Sequence, residues 1–185
     1  FTTIGGKSSK TSAKPLEKTA VLDTLAKREP AMQSKPTDTQ QGPMEAANAA
    51  VIELKPVDVA VPVGQETRLD VSVAGVKNLY GAILTISYDP KVLDFKTAAE
   101  GAFLKNDNQQ TSFLFSNNIK AGTVDIYITR IGDVGGVENA GTLCSVVFQG
   151  KSAGTSQILF KSVKLGNYNR EQIKADFKPA KIAVK

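Results

Sequence analysis

The sequence predicts an all-β fold, a sandwich of two packed sheets, over residues 49–185. Apolar and polar residues alternate in short runs, which is the period of a strand with one buried side. Each run ends at Gly, Pro, Asn or Asp, and the runs recur at regular spacing to the last residue. Nine such runs in a segment of this length favour two sheets packed on one core.

The predicted strands follow from these runs in chain order. The first run is interrupted near Pro56, because proline has no amide hydrogen to give to a ladder. The third run ends where Tyr88 is followed by Asp89 and Pro90 for the same reason. We predict strands at 51–63, 67–76, 79–89, 92–98, 111–116, 123–131, 141–151, 157–165 and 175–185.

Alternation within the strands also predicts which side chains face the core. The inward sets are Leu69, Val71 and Val73; Ala82, Leu84, Ile86 and Tyr88; Val124, Ile126 and Ile128; and Cys144, Val146 and Phe148. Their neighbours along each strand, such as Ile83, Thr85, Asp125 and Tyr127, are predicted to face outward. The single cysteine is therefore expected to be a buried core residue and not a reactive thiol.

Residues 1–48 differ from the rest, being rich in Lys, Ser, Thr, Gln and Pro. We interpret them as a low-complexity extension or linker that is either flexible or bound by a partner. Only 16–29 has helical spacing, opened by Pro15 and closed by Pro30, so we predict a short helix there. The chain begins at Phe1, which we expect of a processed protein or of a piece of a longer polypeptide.

Composition argues against several classes of function. The sequence has no His, so neither a Ser-His-Asp nor a Cys-His catalytic arrangement nor a His-ligated metal site can form. The net charge of +5 is spread along the chain, without a basic cluster, so a nucleic-acid partner is not expected. No apolar run reaches about eighteen residues, so no membrane span is predicted.

The order of motifs resembles a cohesin domain. The run VGQETRLDVSVAGVKNLYGAILTISYDPKVLDFKTAAEG is similar to the opening of that family, where a Val-Gly turn precedes an alternating strand and a later strand closes on Tyr-Asp-Pro-x-x-Leu. The run GTVDIYITRIGDVGGVENAGTLCSVVFQGKSAGTSQILF is similar to its later half, with an acidic, glycine-containing loop and an Ala-Gly-Thr turn. The resemblance covers residues 50–185.

The resemblance implies a nine-stranded jelly-roll sandwich without catalytic residues. Its expected partner is a dockerin-like module, a small calcium-stabilised helical domain, bound through the sheet that contains the third, fifth, sixth and eighth strands. Carried over position by position, the implied binding residues are Ile83, Thr85, Leu114, Asp125 and Tyr127. An exposed Ile, Leu and Tyr beside polar neighbours would make a small binding patch.

The stretch TSFLFSNN and the following GTVDIYITRIGDVGGVENAGTL look closer to cohesin-like domains appended to bacterial outer-membrane secretin and pilus-export proteins. That resemblance implies an extracytoplasmic location, in the periplasm, at the outer membrane or on the cell surface. It also implies tethering to a larger export or surface complex.

Two other functions stay open at this point. A carbohydrate-binding module would need a planar strip of aromatic rings, for which Tyr80, Tyr127 and Tyr168 are the candidates because Trp is absent. A structural subunit could build a larger surface assembly by adding an outer strand or the N-terminal extension to a neighbouring sheet.

Acidic residues give weaker alternatives. Asp89, Asp125, Asp133 and Glu138 are candidates for hydrolysis by paired carboxylates, but no spacing rule selects a pair. Asp133 and Glu138 lie in the loop 132–140 and could contribute to a calcium site. Calcium requires six to eight oxygen ligands, so solvated loop acids are the preferred interpretation and no cofactor is predicted.

Overall fold

The computed structural model describes residues 49–185 and confirms the all-β prediction. The predicted extension 1–48 and its helix at 16–29 lie outside the described residues. The elements are β1 (Ala50–Lys55), β2 (Asp58–Val61), β3 (Glu66–Ser87), β4 (Leu93–Glu100), a 3₁₀ turn η1 (Phe103–Lys105), β5 (Thr111–Asn118), β6 (Thr123–Arg130), β7 (Val137–Gly150), β8 (Gly154–Asn167), β9 (Gln172–Ile173), β10 (Ala175–Lys178) and β11 (Ala180–Val184).

The strands form two layers. The first sheet has the order β10-β1-β3-β7-β4, and the second has the order β5-β6-β3-β8-β11-β2 with the short β9 paired to β8. All these pairs are antiparallel except β1 with β10 and β11 with β2. Strands that follow one another in sequence therefore often lie in different sheets, as a jelly roll requires.

β3 belongs to both sheets, which was not predicted from the sequence. Predicted strands 67–76 and 79–89 are one 22-residue strand whose first part pairs with β1 and β7 and whose second part pairs with β6 and β8. Gly75 and Asn78 have positive φ values of 72° and 56°, and the pairing register with β7 shifts there. The predicted turn is thus a kink at which the strand passes between layers.

Prolines divide two other predicted strands. The first separates into β1 and β2 on either side of Pro56, as predicted, and the ninth separates into β10 and β11 at Pro179. These divisions and the two-residue β9, together with the merging of the second and third predicted strands, account for eleven strands where nine were predicted.

The core lies between the sheets and confirms the predicted inward faces. Leu69, Leu84, Ile126 and Phe148 are fully buried, and the rest of the inward sets are buried with them. Tyr88, which directly follows β3, packs against Phe148 from β7 with ring centroids 5.2 Å apart, which joins the two layers. Cys144 is also buried, and burial raises the pKa of its thiol to about 12, so the thiol stays neutral and unreactive.

The buried side chain of Arg130 links β6 to the segment that contains η1. Arg130, the last residue of β6, donates from Nη1 to the Leu104 carbonyl at 2.6 Å and from both terminal nitrogens to the Asp107 carboxylate at 3.0 and 2.5 Å. The hydrogen bond from Arg130 lowers the pKa of Asp107. Arg130 therefore ties the segment after η1 to the end of β6.

Within residues 49–185 we find no helix whose length and apolar character would let it cross a bilayer.

Candidate functional site

The five residues carried over from the family resemblance lie together on one surface. This surface is the solvent side of β5, β6, the second part of β3 and β8, and we call it the outer face. Ile83 on β3 and Leu114 on β5 are both directly opposite Tyr127 on β6, while Thr85 is opposite Asp125. Pairing across the strands therefore assembles residues that are up to 44 positions apart in the sequence, from Ile83 to Tyr127.

The outer face has an apolar centre. Ile83, Leu114 and Tyr127 are exposed over 42%, 64% and 46% of their surfaces. They form a row across three adjacent strands, because directly opposite side chains in an antiparallel pair lie within contact range. Three large apolar side chains side by side are more than the single exposed residues that most protein surfaces carry.

A polar pair borders this row. The Thr85 hydroxyl donates to Oδ1 of Asp125 at 2.7 Å, which holds the carboxylate in the plane of the face. Ser116 lies opposite Asp125 on the other side, and Ser162 lies opposite Thr85. The face therefore presents an anchored acceptor next to an apolar row, an arrangement typical of a protein-binding surface.

A groove of about 540 Å³ opens beside the row. Two glycines, Gly81 of β3 and Gly166 of β8, lie opposite each other in the sheet and line this groove. A Cβ built on Gly166 would meet nothing within 4 Å, so this position contributes open space. Ile83, Leu114 and Tyr127 line the groove, and charge comes from Arg170, Glu171 and Lys164, the last of which lies opposite Ile83 on β8.

The sequence reading missed the groove residues. An isolated glycine within a strand pattern signals a bulge or a close approach, and Gly81 and Gly166 carried that signal. Nothing in one sequence shows that they are opposite each other, 85 positions apart. The sequence of the loop that contains Arg170 has no pattern that would have predicted its place at the groove.

The loop after β8 is a fixed wall of the groove. Asn167 donates its backbone N–H to the Glu171 carbonyl at 2.9 Å and its side-chain amide to Oε2 of Glu171 at 2.8 Å. In return, the Glu171 N–H donates to Oδ1 of Asn167 at 2.8 Å. Reciprocal bonds of this kind hold the loop at the rim without help from a ligand.

The tyrosines do not form the planar strip that sugar stacking would need. The rings of Tyr80 and Tyr168 are 5.7 Å apart and tilted by 59°. The Tyr80 hydroxyl donates to the Gly132 carbonyl at 2.7 Å, and the Tyr168 hydroxyl donates to Asp133. Both hydroxyls thus hold loops together, and this geometry gives the carbohydrate-binding alternative no support.

The structure does not bring the four acidic candidates together. Asp89 accepts from the backbone N–H of Lys91 in the turn after β3, Asp125 accepts from Thr85, and Asp133 accepts from Tyr168. Glu138 is an exposed residue of β7. In the part of the chain that the structure describes, no group of three or more potential metal ligands is close enough to hold an ion.

The family model described as "Cohesin domain" matches residues 52–184. The fold is similar to that of a type II cohesin domain from the cellulosome of Acetivibrio cellulolyticus, with a TM-score of 0.61 and 20% identity over 72% of this chain and 95% of that one. It is also similar to a non-cellulosomal cohesin from the archaeon Archaeoglobus fulgidus, with a TM-score of 0.59 and 15% identity over 74% and 91%.

A third similar structure is a type I cohesin–dockerin complex from Clostridium thermocellum. The TM-score is 0.62 and the identity 16%, over 75% of this chain and all of the matched one. At these identities the likeness shows the fold. None of the curated protein sequences compared with the chain matches it.

Proposed function

The chain belongs to the cohesin family, a family of non-catalytic modules that bind other proteins, and we propose that it binds a dockerin-like partner through its outer face. The observation that carries this proposal is the row of Ile83, Tyr127 and Leu114, exposed on three adjacent strands beside the Thr85–Asp125 pair. The absence of His and the scattered positions of the acidic candidates agree with a binding role.

The chemistry of the outer face favours a helical partner that presents apolar side chains. Two aliphatic side chains and one aromatic ring offer area for an apolar stripe, which contributes the largest share of binding free energy at such surfaces. The groove beside them, lined in part by Gly81 and Gly166, has room for a protruding side chain. Asp125 supplies an oriented acceptor for a donor at the edge of the partner.

The rim of the groove adds charge of both signs. Lys164 and Arg170 are exposed cations, and Glu171 is an exposed anion held by Asn167. Charged residues at the rim change the rate of association and its salt dependence more than they change affinity. We expect the partner to carry acidic residues next to its apolar stripe.

We further propose that the chain works in an extracytoplasmic assembly, tethered to an export or surface complex. This proposal rests on the resemblance of TSFLFSNN and GTVDIYITRIGDVGGVENAGTL to cohesin-like domains appended to secretin and pilus-export proteins.

Isothermal titration calorimetry of the full chain against a panel of calcium-loaded dockerin modules tests the proposal. The variant Ile83→Asp with Tyr127→Ala should weaken binding by at least about 30-fold, because truncating hot-spot residues costs about 2 kcal/mol or more. Val63→Asp is the matched control, since Val63 is an exposed aliphatic residue in the turn between β2 and β3.

The control should bind as the unmodified chain does. Equal affinity of the face variant and the control would contradict the assignment of the face. Absence of binding to every module in the panel would contradict the dockerin-like partner.

A further inference from the structure

The outer edge of β5 is unpaired in the described part of the chain. Among the described strands, β5 (Thr111–Asn118) has backbone ladder pairing with β6 alone, and the Thr111 side chain donates to the Glu100 carboxylate of β4. It is eight residues long and its register with β6 is continuous, without a bulge. An open edge of this length presents a row of backbone donors and acceptors to solvent, which is a template for another strand.

β5 also lacks the features that protect the other edges. β4 carries Asp94, Lys96 and Glu100, β10 carries Asp176 and Lys178 before Pro179, and the four-residue β2 lies between Pro56 and Pro62. By contrast, no charged residue and no proline occurs between Asp107 and Lys120. Charge, proline and shortness are the usual means of preventing edge-to-edge pairing, and β5 uses none of them.

The hydrogen-bonding pattern shows which residues face the free edge. Ile131 donates its N–H to the Gln110 carbonyl at 2.9 Å, and the register pairs Thr111 with Arg130. In an antiparallel ladder, alternate residues bond to the same neighbour, so the even-numbered residues of β5 bond to β6. Consequently Thr111, Phe113, Phe115 and Asn117 direct their backbone N–H and C=O groups outward.

The side chains at this edge are incompletely covered. Phe113 and Phe115 lie on the core side of β5, with ring centroids 6.2 Å apart, and Phe95 of β4 packs on Phe115 at 5.8 Å. Yet Phe115 is 43% exposed, so the contact with Phe95 leaves much of this ring uncovered. An added strand would cover this ring while it satisfied the outward backbone groups.

The sequence of β5 is self-complementary. Residues 112–116 read Ser-Phe-Leu-Phe-Ser, which is the same in both directions about Leu114. Two antiparallel copies centred on Leu114 would place Phe113 opposite Phe115 of the second copy and Ser112 opposite Ser116 of the second copy. In this register the outward-facing residues pair with each other, Phe113 with Phe115 and Thr111 with Asn117, as the ladder requires.

We propose that β5 is a homodimerisation edge, where a second copy of this chain adds its own β5 antiparallel about Leu114. The second sheet of each copy then joins the other to form one continuous sheet across the interface. The two-fold axis is perpendicular to the sheet, so both outer faces lie on the same side with the two Leu114 side chains at the centre. The proposal does not depend on the dockerin-like partner, since dimerisation is measured in its absence.

A charge-pairing experiment on the full chain tests both the dimer and its register. Ser112 and Ser116 lie on the outer side of β5, where Ser116 is exposed and Ser112 is partly buried, and neither side chain takes part in the ladder. The double variant Ser112→Lys, Ser116→Lys places like charges opposite each other twice in the proposed register. The matched double variant Ser112→Lys, Ser116→Glu places opposite charges there twice.

Sedimentation velocity over a range of concentrations measures the outcome. The unmodified chain should form a dimer of twice 19.7 kDa. The dissociation constant of the Lys/Lys dimer should be at least about tenfold higher than that of the Lys/Glu dimer. Urea denaturation of both variants checks that each is folded.

Two results would overturn the proposal. If the unmodified chain is a monomer at all concentrations, a second copy is not the occupant of this edge, and an extended segment of another protein becomes the alternative. If the two double variants dimerise equally, the interface does not have the Leu114-centred register.

Discussion

Ile126 and Tyr127 are neighbours on β6 whose side chains point to opposite sides of the second sheet. Ile126 is fully buried in the core, whereas Tyr127 is 46% exposed in the centre of the outer face. Truncating each to alanine therefore separates stability from binding. We predict that Ile126→Ala lowers the free energy of unfolding without a specific effect on the partner site. Tyr127→Ala should weaken partner binding and leave the free energy of unfolding almost unchanged.

The size of the stability effect follows from the burial of Ile126. The change removes three buried carbon atoms, each contributing about 0.8 kcal/mol of transfer free energy. The space left behind adds about 24 cal/mol per Å³ where the core does not collapse, which gives about 3–4 kcal/mol in total. Tyr127→Ala removes a half-exposed ring that fills no cavity, so we expect a loss below about 1 kcal/mol.

Urea denaturation followed by far-ultraviolet circular dichroism measures both values. With a denaturant slope of roughly 1.5–2 kcal/mol per molar urea for a domain of this size, Ile126→Ala should lower the midpoint by about 2 M. Tyr127→Ala should move it by less than about 0.5 M. A larger shift for Tyr127→Ala than for Ile126→Ala would refute the assignment of faces on β6, and with it the proposed binding surface.

Three further predictions concern other parts of the structure. The hydrogen bond from Arg130 lowers the pKa of Asp107 in the folded chain. The pair therefore stabilises the fold at any pH above about 4, the pKa of an aspartate in the unfolded chain. This stabilisation is lost as the pH falls through the lower pKa that Asp107 has in the folded chain. The stability difference between the unmodified chain and Asp107→Asn should therefore be constant near neutral pH and shrink below about pH 4 in urea titrations, whereas a difference independent of pH would contradict the ion pair. Cys144, whose burial raises its thiol pKa to about 12, should react with a thiol reagent at pH 8 only after the chain unfolds, and prompt labelling of the native chain would contradict its burial. Gly166→Leu should fill the groove without a clash, because a Cβ there meets no atom within 4 Å. The variant should weaken partner binding by about tenfold or more while the urea midpoint stays unchanged. Unchanged affinity would show that the partner does not enter the groove.

The sequence predicted the parts of this fold that depend on local pattern. The alternation of Leu69, Val71 and Val73 assigned the buried side of β3, and Val124, Ile126 and Ile128 did so for β6, because the period of a strand is fixed by backbone geometry. The merged β3 was missed because Gly75 and Asn78 are ordinary turn residues. Only pairing with β6, β7 and β8 shows that they bend a continuous strand.

The candidate site was predictable only in part, for the same reason. Exposure of Ile83 and Tyr127 followed from alternation, but their direct pairing depends on the register between β3 and β6. The groove depends on Gly81 lying opposite Gly166, which is a long-range pairing that no local pattern determines. The free edge of β5 likewise required knowledge of which strand has only one neighbour.

The measurement that tests the central proposal most directly is a methyl nuclear magnetic resonance titration of the full chain with a calcium-loaded dockerin. The methyl groups of Ile83 and Leu114 report on the outer face, and those of Val63 report on the turn between β2 and β3. We expect the methyl signals of Ile83 and Leu114 to shift as the dockerin is added and those of Val63 to stay unchanged. Shifts confined to Val63 and the first sheet, with Ile83 and Leu114 unchanged, would contradict the proposal.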